Sequence, residues 1–235
     1  MKARYLDLDQ AGPAEVVVVI DVLRAFTVAP WLYHRGAARV LAVADRDHAM
    51  RLRDTQVPGA VLAGEEGGIP VEGFDLGNSP SEIRRTDLTG KTVVHRTSAG
   101  TQGLLRTAGS GQVFAASFVT AGATAAALRR VGAAEVDFVI TGASLGRDGD
   151  EDLAAAELIA ARAQGEDPDP APYLARVAPS DAGRLFASDG PDWAPPDDLA
   201  MACQIDRFDH TLAGHLVVEL DAVELRTVYA DSSLR

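Results

Sequence analysis

The sequence predicts a layered α/β/α fold built on a largely parallel or mixed sheet. Three observations carry that expectation. Residues 16–20, Val-Val-Val-Val-Ile, form an unbroken β-branched run, the pattern of a strand covered on both faces. Further strand patterns recur at 91–96 (KTVVHR), 112–118 (QVFAASF) and 136–141 (VDFVIT). Ala-rich stretches with helical spacing lie around and between them, at 46–53, 101–108, 121–131 and 153–164. Strand followed by helix, repeated about every 20 to 30 residues, is the signature of an α/β layer protein. A last apolar strand, 214–220, joins the same sheet or a separate C-terminal part. Residues 166–196, rich in proline, read as an irregular excursion. The whole of 1–235 reads as a single unit, and a C-terminal subregion from about 166 is the one candidate division.

Composition narrows the class. Of 235 residues, 47% are apolar and 24% charged, enough to build a packed core. The 34 acidic residues exceed the 22 basic ones, giving −12, which argues against a nucleic-acid partner. One cysteine, Cys203, rules out an internal disulfide framework and a Cys-rich zinc site. No secretory leader and no run of about 18 apolar residues is evident, so no membrane partner is expected and a cytoplasmic protein is. Between positions 145 and 200 there are 13 Asp/Glu and 4 Arg, read chiefly as solvated surface.

Ligands of open α/β sheets bind where strands run into helices. Asp21 follows the first strand. A carboxylate there suits Mg²⁺, and Arg24 could clamp a phosphate; equally, Asp21 could cap a helix. Leu23 stands where a haloacid-dehalogenase-type phosphatase needs a second Asp. Gly64-Glu65-Glu66-Gly67-Gly68 places an acid among glycines. Ser79, Pro80 and Glu82 spell a helix start with a capping box. Thr97-Ser98-Ala99-Gly100-Thr101 could cradle an anion, without the Gly-Lys ending of a Walker loop. Glu151 and Asp152, in Asp148-Gly149-Asp150-Glu151-Asp152, read either as metal ligands or as acids favouring a helix N-terminus. If the strands are parallel, the loops after 20, 96 and 141 meet on one rim. His95, inside a strand, reads as core or sheet surface rather than as a base.

In this order the segments resemble the 2-phosphosulfolactate phosphatase family. The matching stretches are residues 18–25 (VVIDVLRA), 64–68 (GEEGG), 73–80 (GFDLGNSP), 97–101 (TSAGT) and Glu151-Asp152. The resemblance implies that family's α/β fold, self-association as a homodimer, and Mg²⁺-dependent hydrolysis of a small phosphorylated hydroxy acid such as 2-phosphosulfolactate, giving 3-sulfolactate and phosphate. Carried onto these positions, Asp21 and Arg24 are catalytic. Asp21, Glu65, Glu151 and Asp152 hold Mg²⁺. Thr27, Asn78, Ser79, Thr97, Ser98, Gly100 and Thr101 contact a small anionic phosphoester. Direct attack by water is expected rather than a phospho-Asp21 intermediate. The chain departs from the pattern at Phe26, where Thr or Ser is usual, and at Ser98-Ala99-Gly100-Thr101, where Thr-Asn-Gly-Thr is usual. Those changes should alter contacts in the anion pocket. A non-catalytic binder of anionic metabolites and a phosphatase for a different phosphoester remain alternatives.

Overall fold

A computed structural model describes residues 1–144 and 146–229. Ten strands form one mixed sheet: β1 (Lys2–Asp7), β2 (Val16–Ile20), β3 (Arg39–Ala42), β4 (Val61–Glu66), β5 (Ile69–Pro70), β6 (Thr92–Arg96), β7 (Gln112–Ala116), β8 (Glu135–Ile140), β9 (His210–Val217) and β10 (Ala222–Tyr229). Their order is β1-β8-β2-β7-β9-β10-β3-β6-β4-β5. The helices are α1 (Ala25–His34), α2 (Arg46–Thr55), α3 (Pro80–Ile83), α4 (Gly100–Thr107), α5 (Ala121–Val131), α6 (Asp150–Ala163), α7 (Ala171–Leu174) and α8 (Pro196–Ala202).

The sheet consists of two parallel blocks, β1-β8-β2-β7 and β3-β6-β4, joined by the antiparallel hairpin β9–β10. Strand β2 explains its own composition. Val17 and Val19 enter one core with α1 and α4, while Val16, Val18 and Ile20 enter another with α5 and α6. Alternate side chains of a strand point to opposite faces, so apolar layers on both sides require five apolar residues in a row. Alanines Ala121, Ala125, Ala127 and Ala154–Ala156 let α5 and α6 pack closely over that outer face.

Strand β6 does not run parallel to β2, the condition on which the one-rim expectation rests. Three antiparallel pairings lie between the blocks, so their strands run in opposite senses along the sheet. The loops nevertheless meet. A single core holds Val19 and Ala115 of the first block, Val40, Ala63 and Val93 of the second, and the buried faces of α1 and α4. The sheet therefore wraps around these two helices. Neighbouring strands twist by about 20–25°, and five steps separate β2 from β6, so roughly 100–125° accumulates. That turn carries the ends of β4 and β6 toward the end of β2. The strand expected at 214–220 is β9, beginning four residues earlier and lying in the middle of the sheet. No helix among the described residues is long and apolar enough to cross a membrane.

Candidate active site

A cavity of about 240 Å³ lies where the blocks converge, lined by Asp21, Arg24, Glu65, Asn78, Ser98, Ala99 and Arg147, with Leu185, Phe186 and Trp193 opposite. Asp21 ends β2 and is 6% exposed. Its Oδ1 accepts the Ala25 N–H at 2.9 Å. Burial, with Glu65 and Glu151 nearby, pushes its carboxyl from 3.8 up to about 7. Burial also raises Glu151, whose Oε2 is buried without a partner. The half-buried Arg147 is the cation that opposes these shifts in both acids.

Gly100 opens α4 against Asp21. A Cβ there would lie 2.6 Å from Asp21 Oδ2 and 2.7 Å from the Ala25 Cβ, so only glycine lets the helix N-terminus approach the acid. Alanine usually favours a helix by about 1 kcal/mol over glycine. Gly100→Ala should instead destabilise by about 1–3 kcal/mol through overpacking. A denaturation curve showing a gain in stability would refute this close approach.

The other predicted residues divide by what they touch. Asp152 accepts Val22 N–H at 2.7 Å and Gly142 N–H at 2.7 Å, tying the end of β2 to that of β8. Glu65 accepts the N–H of Ser98 at 2.7 Å and of Gly68 at 2.5 Å, tying β4 to the turn after β6. Asn78 faces the cavity and is held by His95. Ser79 caps α3 and bonds Asp198; it lines an adjoining groove rather than the cavity. Thr97 and Thr101 are buried and bond one another's backbone N–H groups, which shapes the turn without offering hydroxyls to a ligand. Thr27 is placed away from the cavity. It is fully buried, and its hydroxyl donates to Val22 O at 2.8 Å. Phe26 is likewise fully buried in the core, so its substitution alters packing rather than anion contacts. Ala99, the other departure, does line the cavity.

Arg24 is not a free phosphate ligand. Its Nη1 donates to Asp198 Oδ2 at 3.0 Å and to Trp193 O at 2.6 Å, and its Nη2 to Gly68 O at 3.1 Å. Its guanidinium also stacks 5.2 Å from the Phe186 ring and 5.7 Å from Trp193. Arg24 thus clamps residues 182–198 over the cavity. Trp193 sits on Gly68, where a Cβ would come within 2.7 Å of the indole. Asp198 is 0% exposed, a correction to the reading of this acidic stretch as solvated surface. Its pairing, like the contacts of Phe186 and Trp193 with Arg24, carries no local sequence signal, because the partners are more than 100 residues apart.

The four predicted metal-ligating acids do not form one cluster. Among the described residues no three His, Cys, Asp or Glu side chains are gathered to hold a metal. Asp152 and Glu65 already engage both oxygens with N–H donors. Asp21 and Glu151 do fit a cation: they are buried, Glu151 raises the proton affinity of Asp21, and one Glu151 oxygen lacks a partner. Two carboxylates, with substrate phosphate and water, are a usual set for Mg²⁺.

The geometry thus describes a mixed α/β sheet protein with an acidic, enclosed cleft at the carboxyl ends of its strands. A sequence profile described as 2-phosphosulpholactate phosphatase matches residues 5–186, and the chain belongs to that family. The chain is 38% identical over 148 residues to a protein of Bacillus subtilis (strain 168) named "Probable 2-phosphosulfolactate phosphatase", covering 63% of this chain and 64% of the relative. It is 42% identical over 161 residues to a Deinococcus radiodurans protein of the same name, covering 68% and 66%. A Thermoplasma acidophilum protein, again so named, is 34% identical over 164 residues, covering 70% and 72%. The chain thus spans slightly less than two thirds of the length of the first two relatives it matches. Trp193 and Asp198 lie beyond the profile match.

Proposed function

We propose that this protein is a Mg²⁺-dependent phosphoric monoester hydrolase acting on a small phosphorylated hydroxy acid, with 2-phosphosulfolactate the first candidate. The observation that supports it is a small cavity lined by buried Asp21 and by Arg147, with buried Glu151 close enough to raise the proton affinity of Asp21. Asp21 and Glu151 would hold Mg²⁺, which supplies charge neutralisation and polarises the phosphoryl group. The chain's own residues do the rest. Arg147, the first turn of α4 and Asn78 bind and orient the phosphoryl oxygens. Glu65 and Asp152 hold the loops that carry them. The segment 182–198 excludes bulk water. The P–O ester bond breaks as a water oxygen bonds to phosphorus, and the water's protons end on the alcohol and the phosphate.

The test is phosphate release from 2-phosphosulfolactate, phospholactate and phosphoglycerate, with Mg²⁺ and with EDTA. Release from at least one ester, abolished by EDTA, is expected. Folded protein that binds these esters without releasing phosphate would replace hydrolysis with metabolite binding.

A further inference from the structure

His95 lies in the middle of the functional architecture without touching the cavity. It is 0% exposed in β6, and its Nε2 stands 3.0 Å from Asn78 Oδ1. Its Nδ1 is buried without a partner. Asn78 is 3% exposed and lines the cavity beside Asp21, Glu65 and Ser98.

Two arrangements satisfy that contact. In the first, His95 Nε2–H donates to the Asn78 carbonyl, the Nδ1 lone pair is left bare, and the Asn78 NH₂ faces the cavity. In the second, the Asn78 NH₂ donates to Nε2, an Nδ1–H is buried without an acceptor, and the amide oxygen faces the cavity. Orphaned buried N–H groups are rarer than under-satisfied acceptors. That consideration selects the first arrangement, in which the Asn78 Oδ1 faces His95 Nε2.

We propose that His95 is a positioning residue: its Nε2–H fixes the Asn78 carboxamide so that the amide NH₂ is presented to a phosphoryl oxygen in the cavity. The proposal rests on the phosphatase reading for the identity of the anion alone. Burial lowers the His95 ring to about 4, so it is neutral at pH 7 and carries one ring proton. A neutral imidazole suits this task. Its ring fixes the neighbouring amide in one orientation and adds no charge to the buried interior.

The experiment compares His95→Leu, which removes the donor, with His95→Gln, which keeps an N–H able to reach Asn78. His95→Leu is expected to weaken inorganic phosphate binding about tenfold, the loss of a hydrogen bond to an anion, and to raise KM more than it lowers kcat. His95→Gln should restore binding to within about threefold. In an Asn78→Ala background, His95→Leu should cost nothing further. Equal losses in the Leu and Gln variants, or an undiminished loss in the Asn78→Ala background, would overturn the proposal. The ring tautomer gives a readout independent of activity. Nitrogen-15 shifts of the His95 ring should report the Nε2–H form, and an Nδ1–H form would overturn the proposal even in an active enzyme. Correct tautomer and phosphate binding without ester hydrolysis would instead sink the phosphatase reading and leave His95 in its role.

Discussion

Asp21→Asn is expected to abolish phosphate release, by about 10³-fold or more, while making the metal-free protein more stable. The two effects have one origin. The Asp21 carboxyl titrates near 7 in the folded chain against 3.8 ordinarily. Between those values the folded chain holds a proton that the unfolded chain has released. Stability therefore falls as pH rises from about 4 to 7 and stays low above it, by at most about 4 kcal/mol. Asparagine keeps the oxygen that accepts the Ala25 N–H and removes the charge. Denaturation of metal-free protein between pH 4 and 8 should show the wild type losing stability and the variant less so. Near-wild-type turnover in Asp21→Asn would refute the site. An equally active loss of stability with pH in the variant would refute the electrostatic account.

Asp198→Ala should be the most damaging change outside the cavity. Asp198 accepts from Arg24 at 3.0 Å, from Ser79 Oγ at 2.8 Å and from Ser81 N–H at 3.1 Å, all in the interior. Removing one partner of a buried ion pair leaves an uncompensated charge, at about 3–5 kcal/mol. The variant should also release the Trp193 segment from Gly68, which would raise KM and red-shift tryptophan emission. Replacing both partners, Arg24→Met with Asp198→Leu, should recover part of the stability, because no lone charge is then buried. A single-variant loss below about 1 kcal/mol in chemical denaturation would show that the clamp is not a structural tie.

How much of this was legible in the sequence depended on whether the determinant was local. Strand β2 declares itself through five apolar residues, and α5 and α6 through alanine spacing. Strand β1 (KARYLD) escaped notice because it is an edge strand with mostly exposed, alternating polar residues. Helix α1 (AFTVAPWLYH) escaped because it is buried for most of its length and contains Pro30, so it has no polar stripe to mark a period. Strand β3 has only four residues, and β4 (VLAGEE) runs from apolar residues into Gly64-Glu65-Glu66, so neither shows a strand pattern along its length. In the candidate site, Asp21, Glu65 and Glu151 stand out by strand end, flanking glycines and acidic run, whereas Asn78 is singled out by the resemblance alone. The reassignment of Arg24 from phosphate ligand to clamp was not readable. It depends on Asp198, 174 positions away, and no local pattern records such a pairing. Thr27 illustrates the converse, since a hydroxyl near Asp21 is engaged by Val22 O and Ser117 Oγ in the interior.

The position of the β9–β10 hairpin bears on how this chain acquires its structure. Among the described residues the two parallel blocks have no direct strand pairing with each other; residues 210–229 supply the pairing that bridges them. A chain synthesised from its N-terminus makes β1 to β8 first, yet has no means of closing the sheet until those last strands arrive. Contacts of such long sequence separation make assembly slow, and until then β7 and β3 expose bare edges that can pair with other chains. Forms that end before residue 210 are therefore expected to aggregate more readily than the full chain, which a solubility comparison would check.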